Sequence, residues 1–300
     1  LNIMITGSHG LMGNRLVADS RQAGHTVYRL VRQSARKEPQ QIAWDPTTGQ
    51  VAGSWPDDVD AVVHFAGASI AAGRWTNARM AVIRDSRVVG TRLLSEAIAG
   101  WQHKPEVLIC ASAIGYYGDR GAEELTETSD PGSGFLADVC QQWEAATQAA
   151  EDAGVRVVHL RFGMVLSPDG GALQKMLLPF KLGLGGVVGN GRQYWSSVFL
   201  DDALAAVNHV RDTPELRGPV NVVGPQPVTN REFTKILGRV LRRPTVIPMP
   251  RIIGRLVLGK MVDDLMIASA RVLPHKLAGT GFGFQFEDLE SGLRAILGSK

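Results

Sequence analysis

The chain opens on a short apolar run that empties into three evenly spaced glycines: Leu1-Asn2-Ile3-Met4-Ile5-Thr6-Gly7-Ser8-His9-Gly10-Leu11-Met12-Gly13. The run reads as a strand, and Leu11, Leu16, Val17 and Ala23 mark the apolar face of a following helix. A strand that feeds a helix through a glycine turn restricts the possible folds more than any other segment here. Backbone without Cβ approaches a pyrophosphate closely, and the free N–H groups of a helix N-terminus supply positive potential there. The spacing is G-x-x-G-x-x-G instead of G-x-G-x-x-G. Its place between the first strand and the first helix nevertheless points to a dinucleotide.

A second strand, His25 to Arg32, starts just after Gly24, which reads as the C-terminal cap of the first helix. A site for NAD usually ends this strand in Asp or Glu, which binds the ribose 2′-hydroxyl. Here it ends at Val31-Arg32, followed by Arg36 and Lys37, with no carboxylate before Glu38. A guanidinium at this place pairs with a 2′-phosphate and stacks on adenine, which favours NADP(H). A solvated basic turn is the competing explanation.

Strands and helices alternate through the next part of the chain. Asp60-Phe65 reads as a strand, Met80-Ala99 as a helix, Glu106-Ser112 as a strand, Phe135-Asp152 as a helix and Val155-Arg161 as a strand. Continuous apolar runs separated by helices describe a parallel sheet covered on both faces, and right-handed crossovers make it doubly wound. Beyond Arg161 the sequence turns glycine-rich, with a short helix near Ala172-Phe180 and the stretch GLGGVVGNGRQ. Asp201-Asp212 reads as a helix capped by Asp201 or Asp202, and Pro219-Val223 as a returning strand. Thr229-Asn230-Arg231-Glu232 is a capping-box signature, and Phe282-Leu297 reads as a short strand and a last helix.

Bulk properties narrow the class. Three hundred residues, 44% of them hydrophobic, suffice for one α/β domain with a substantial lobe or for two small domains. A net charge of +3 is too small to argue for nucleic acid or a membrane surface, and Arg239, Arg242 and Arg243 read as the polar side of a helix end. No apolar run reaches spanning length, and the expected setting is cytoplasmic. Cys110 and Cys140 show no metal-ligand spacing, nor do the seven histidines, so no metal site is expected.

TGSHGLMG, HFAGASI and SAIGYYGD, with the long C-terminal lobe, resemble the extended short-chain dehydrogenase/reductase superfamily. FLADVCQQWEAA, LRFGMVLSPDGGALQKMLLPFKLGLGG and GNGRQYWSSVFLDD resemble its atypical epimerase-like subgroup, usually labelled nucleoside-diphosphate-sugar epimerases. The resemblance covers essentially the whole chain. It implies an α/β fold: a Rossmann-type, doubly wound parallel sheet with a smaller, interleaved C-terminal substrate lobe. Residues 1–163 would be the NADP-binding domain, completed by about 195–225, and 164–194 with 226–300 the substrate-binding lobe.

Roles follow from the resemblance position by position. Gly7, Gly10 and Gly13, with the backbone of Ser8, His9, Leu11 and Met12, match the pyrophosphate loop, and Arg32 matches the position that meets the adenosine phosphate. His64-Phe65-Ala66-Gly67 stands where the superfamily has an N-A-G-like turn on the ribose and nicotinamide side, with His64 in place of an asparagine-type residue. Arg87 resembles a cofactor-facing arginine of the subgroup, an ordinary exposed helix arginine being the alternative.

At the reaction centre the match breaks. Superfamily enzymes use a tyrosine and, four residues later, a lysine that holds the nicotinamide ribose while the phenol passes a proton. The aligned positions here are Leu136 and Cys140, and Ala113 stands at the serine position beside Ser112. Ser112 and Tyr116 are the substitute catalytic candidates, with Tyr117 read as core. Lys175, Arg192, Gln193 and Trp195 are candidate substrate contacts in the glycine-rich lobe. The implied activity is an NADP(H)-dependent oxidoreductase or epimerase acting on a nucleotide-sugar-like or other small carbonyl substrate. The alternative is a non-catalytic NADP(H)-binding sensor or interaction protein. Superfamily habit suggests a homodimer.

Overall fold

The structure is a computed structural model that describes residues 1–32, 40–248 and 263–298. Arg36, Lys37 and Glu38 lie outside the described residues. The first half runs β1 (Asn2–Thr6), α1 (Leu11–Gln22), β2 (Thr26–Val31), β3 (Gln41–Ala43), β4 (Ala61–His64), α2 (Asn77–Ala99) and β5 (Val107–Ala113). A 3₁₀ turn at Ile114–Tyr117 leads to β6 (Glu124–Leu125), α3 (Phe135–Ala145), α4 (Gln148–Asp152) and β7 (Arg156–Phe162). Next come β8 (Met164–Ser167), α5 (Gly171–Lys181), β9 (Tyr194–Trp195), β10 (Ser197–Phe199), α6 (Leu200–Asp212) and β11 (Gly218–Val222). The remainder is β12 (Val228–Thr229), α7 (Asn230–Leu241), a π turn at Asp263–Ile267, β13 (Arg271–Val272), α8 (His275–Gly279) and α9 (Leu289–Leu297).

Seven strands form one sheet in the order β11-β7-β5-β4-β1-β2-β3, and every neighbouring pair is parallel. The alternation of side chains divides its apolar content between two faces. Ile3, Ile5, Ala61, Val63, Val107 and Ile109 pack on one face with Leu16 and Val17 of α1 and Ala203, Leu204 and Val207 of α6. Met4, Val62, Leu108 and Val157 pack on the other with Leu94 and Ile98 of α2 and Ala150 of α4. Helices on both faces of a parallel sheet define the doubly wound, Rossmann-type arrangement. Strand order reverses between β1 and β4, so the carboxyl ends of these two strands flank a crevice.

A second core, with Leu166, Leu173, Leu177, Phe180, Trp195, Phe233, Leu237 and Leu293, holds α5, α7 and α9 together as the lobe. Short pairings knit it to the sheet domain: β8 with β10, β9 with β12, and β13 with β6. Arg156 at the start of β7 donates to the carbonyls of Val210, Arg211, Thr213 and Leu216, and so satisfies the C-terminal end of α6.

Several local expectations are corrected. β3 is an additional strand. The helix expected over 135–152 is two helices, because the Thr147 hydroxyl takes the Glu144 carbonyl at 2.8 Å and interrupts the helical ladder. Asp201 and Asp202 are not caps of α6: its N-cap is Phe199, and both acids lie in the first turn. Asp202 is buried and its carboxylate accepts from the backbone N–H groups of Gln285 and Phe286 at 2.7 and 3.3 Å. Those bonds also explain why the alternating run after Phe282 is not a strand, since two of its donors are taken by a side chain. The capping box at Thr229 and Glu232 is present in full.

Candidate functional site

At the carboxyl end of β1 the chain turns through Gly7 with φ +66°, a conformation that favours glycine. A Cβ there would sit 2.6 Å from the Phe65 carbonyl carbon, and one on Gly13 would overlap the Gly7 carbonyl oxygen. The two glycines therefore let the turn lie against the end of β4 and let α1 start directly beneath it. Gly10 is the N-cap of α1 and offers no side-chain acceptor, so no side chain covers the first-turn N–H groups. Ser8 is buried and its hydroxyl accepts from Arg29 Nε on β2 at 3.2 Å, whereas His9 and Gly10 are exposed. The loop thus presents backbone, and an uncapped helix N-terminus, to the crevice. That is a cradle a phosphate fits. Arg32, one residue beyond β2, is exposed and makes no polar contact with the described residues.

His64 has a different place from the one expected. Its side chain is completely buried, so it does not contact a ligand in the crevice. The Thr6 hydroxyl oxygen accepts from the N–H groups of Phe65 and Ala66, both at 3.1 Å, which leaves its proton for His64 Nδ1 at 2.7 Å. His64 Nε2–H then donates to Thr91 Oγ1 at 2.9 Å, beside the indole N–H of Trp143, which donates to the same oxygen. Burial lowers the His64 pKa to about 4, so the imidazole is neutral in this position. His64 holds Thr6, and Thr6 holds the turn at Phe65-Ala66. Gly67 is exposed at the crevice, and Phe65 packs edge-on against Phe162 of β7 with ring centroids 6.0 Å apart.

Arg87 on α2 closes the same turn from outside. It donates to the carbonyls of Ala68 and Ile83 at 3.0 and 2.9 Å, lies 5.1 Å from the Trp143 ring centroid, and would be 3.4 Å from a Cβ on Gly67. Burial lowers its pKa. It is half-buried and structurally engaged, not an ordinary exposed helix arginine.

The carboxyl ends of β5 and β7 carry a buried polar cluster. Ser112 Oγ donates to Glu144 Oε1 at 2.7 Å, and Arg161 forms a bidentate pair with the same carboxylate, both bonds 2.8 Å. Arg161 Nη1 donates to the Tyr117 hydroxyl at 3.0 Å, which donates to Asn221 Oδ1 on β11 at 2.7 Å. Desolvation lowers the pKa of Arg161, but hydrogen bonding and the charge of Glu144 outweigh it and hold the guanidinium protonated. Arg161 Cζ sits over the ring of Tyr116, 3.4 Å from the ring centroid, and the Tyr116 hydroxyl makes no hydrogen bond to the described residues. Tyr117 is fully buried. Leu136 and Cys140, one turn apart on α3, face Gly115 in the 3₁₀ turn, and burial pushes the Cys140 thiol up to about 12.

The lobe residues separate into two groups. Lys175 on α5 is exposed and donates to the Ala71 carbonyl at 3.2 Å, bridging the lobe to the segment after β4. Arg192 is exposed. Gln193 and Trp195 are corrected as substrate contacts, because both are buried with their donors spent inside the lobe. Gln193 donates to the carbonyls of Val188 and Met266, and Trp195 donates to that of Met266. No group of acidic, histidine or cysteine side chains able to hold a metal occurs among the described residues. No helix among them is long and apolar enough to cross a membrane.

Sequence reasoning missed Thr6, Arg29 and Arg161 as working parts of the site. The available signal was charge in an apolar strand: Arg29 and Arg161 interrupt otherwise buried runs, and such a charge needs a partner. Nothing local marked Glu144 as that partner, 17 residues away from Arg161.

A model of the NAD dependent epimerase/dehydratase family matches residues 3–242, and a domain of unknown function, DUF1731, matches residues 249–296. Epimerase family proteins of Mycobacterium bovis and Mycobacterium tuberculosis are 41% identical over 97% of this chain and 96% of their own. Among solved structures, the human epimerase family protein SDR39U1 with NADPH superposes with a TM-score of 0.91 at 30% identity, covering all of both chains. A nucleoside-diphosphate sugar epimerase of Corynebacterium glutamicum gives 0.80 at 34% identity over 99% of this chain and 58% of that one. The glycine cradle at the β1–β4 crevice and the match across four-fifths of the sequence place this chain in the NAD-dependent epimerase/dehydratase family.

Proposed function

We propose that this chain binds NADP(H) and catalyses hydride transfer, as a reductase or an epimerase, on a small carbonyl substrate of the nucleotide-sugar kind. The observation that carries the cofactor choice is Arg32, exposed at the end of β2, with no carboxylate in the sequence between it and Glu38. An adenosine 2′-phosphate has a cation to meet there, and β2 does not end in the acid that binds a bare ribose. The NADPH in the structure of the human relative supports the same choice.

A bound nicotinamide would supply the hydride chemistry. The N-terminus of α1 and the amides around Gly7–Gly13 would hold and neutralise its pyrophosphate. Thr6, His64 and Arg87 fix the turn at 65–68 that borders the crevice. Tyr116 passes the proton: its hydroxyl is unengaged, its ring is fixed by Arg161, and it stands at the carboxyl end of β5, where open α/β sheets bind ligands. Leu136 and Cys140 take the positions of the superfamily tyrosine and lysine, and neither passes a proton at neutral pH. Ser112 orients Glu144, since its own proton is committed there at 2.7 Å. Lys175 and Arg192 are exposed cations available to an anionic substrate group.

A second reading, a non-catalytic NADP(H) sensor, is favoured by the apolar packing of Leu136 and Cys140 on Gly115. One experiment separates the two. The protein is titrated with NADPH and NADH, then given deuterated NADPH with a panel of simple carbonyls and, separately, NADP+ with a panel of nucleotide sugars whose epimers are resolved by chromatography. Label in a reduced product, or a new epimer, that is lost in Tyr116→Phe supports catalysis; tight NADPH binding with neither selects the sensor. Arg32→Glu should weaken NADPH roughly 10- to 100-fold, the value of a charge-assisted hydrogen bond, and leave NADH within about threefold. Equal losses for both nucleotides would refute the phosphate assignment.

A further inference from the structure

The net charge of +3 conceals a strong segregation. Residues 171–200 and 233–248 contain seven Lys and Arg and not one Asp or Glu, which leaves 25 cations against 29 carboxylates in the rest of the chain. The two segments meet at one end of the lobe. Arg243 Nε donates to the Lys181 carbonyl at 2.8 Å, and Gly183 and Gly186 lie against Pro244 and Ile247. Seven large apolar side chains are exposed among the described residues, and five of them are here: Leu178, Leu182, Leu184, Val246 and Ile247, the last but one 80% exposed. On α5 the inward residues Leu173, Leu177 and Phe180 fill the lobe core, while Leu178, Lys181 and Leu182 face out. Glu290 on α9 pairs with Arg239 of the second segment and with Arg294.

We propose that this face docks on an anionic lipid surface. Large apolar side chains gathered in one exposed patch mark an interaction site, and leucines beside Lys181 and Arg243 suit the boundary between headgroups and acyl chains. The charge argues against the other occupants. A second copy of the chain would set cation against cation across a two-fold axis. Nucleic acid would be met by aliphatic tips where phosphate recognition needs polar donors and base contact needs aromatic faces. The contact is peripheral, made by a few side chains and one helix face.

The test is co-sedimentation of the full chain with vesicles of phosphatidylcholine, with and without phosphatidylglycerol. Binding is expected only with the anionic lipid, and it should weaken as salt shortens the Debye length from about 10 Å at 0.1 M to about 3 Å at 1 M. Lys181→Glu changes the local charge by two and should lower vesicle affinity roughly 25-fold, from about fivefold per charge near the surface. Leu178→Ser with Leu182→Ser should lower it at least about 10-fold by removing the inserted side chains. Both changes are on exposed positions, so thermal melting and NADPH affinity should match the unaltered protein. Absence of vesicle binding overturns the proposal, as does equal binding to phosphatidylcholine alone. Retention on a DNA duplex but not on vesicles would assign the face to nucleic acid. A dimer in sedimentation velocity that Leu178→Ser/Leu182→Ser dissociates would assign it to a second copy.

Discussion

The neutral, buried His64 makes a quantitative prediction about acid. Its pKa is about 4 in the folded protein against 6.5 for an unperturbed histidine, because burial penalises the charged ring. The unfolded chain therefore takes up a proton in a range where the folded one refuses it. The stability attached to this difference is fully present above pH 6.5 and is lost as pH falls towards 4. At 1.36 kcal/mol per unit, the whole difference is about 3 kcal/mol, and roughly 2.5 kcal/mol of it disappears between pH 7 and pH 4.5. Other carboxylates and the buried His159, whose pKa burial also lowers, contribute to acid sensitivity, so the informative comparison is with His64→Asn. Asparagine keeps an acceptor for the Thr6 hydroxyl and does not titrate. Urea unfolding followed by tryptophan fluorescence, at several pH values from 7 to 4.5, gives ΔG for both proteins. The stability advantage of the native protein over the variant should shrink by roughly 2.5 kcal/mol across that range. Parallel pH profiles would refute the reasoning, and with it the assignment of a neutral ring wedged between Thr6 and Thr91.

Gly13→Ala should abolish nucleotide binding or prevent folding, since its methyl overlaps the Gly7 carbonyl, whereas Gly10→Ala, with 3.3 Å to the same oxygen, should fold and bind within about tenfold; calorimetric titration with NADPH distinguishes them. Arg161→Met leaves Glu144 buried without its guanidinium and should cost about 3–5 kcal/mol, while Arg161→Met with Glu144→Leu should recover most of the loss, as denaturant curves will report. Arg156→Ala strips one donor group from the end of α6 and should cost about 2 kcal/mol in the same assay, with NADPH affinity preserved.

The order of elements was legible because each uses a local code. Ile3-Met4-Ile5 and Val107-Leu108-Ile109 are apolar at every position, as strands covered on both faces must be. Thr229 and Glu232 announce a helix start through two side chains three residues apart. The glycine cradle was legible for the same reason, all its parts falling within 13 residues. What was not legible depends on distance along the chain. Glu144 and Arg161 meet only because α3 packs against β5, whose sheet neighbour is β7, and Asp202 gave every local sign of a helix cap while its partners lie more than 80 residues away. His64 looked like a ligand-side residue because it stands where the superfamily has an N-A-G-like turn, but the direction of its side chain is set by Thr6 and Thr91 from two other elements. Gln193 and Trp195 failed similarly, since a polar or aromatic side chain in a glycine-rich segment serves a core as readily as a ligand. The two cation-only segments were in plain view, but whole-chain charge averaged them away.

The position of β11 at the rim of the sheet has a consequence for biosynthesis. Until it arrives, β7 is an outer strand with its hydrogen-bonding groups unmatched, although β5 on its other side is already in place. Sixty residues separate the end of β7 from the end of β11. At about 5–20 residues per second, a ribosome needs roughly 3–12 s to make them. For that interval a nascent chain displays a bare, apolar strand edge able to pair with another chain. Shielding during translation, by the emerging 164–217 segment or by a chaperone, is therefore a requirement of this topology, and slowing synthesis within that segment should increase aggregation more than the same delay placed after β11.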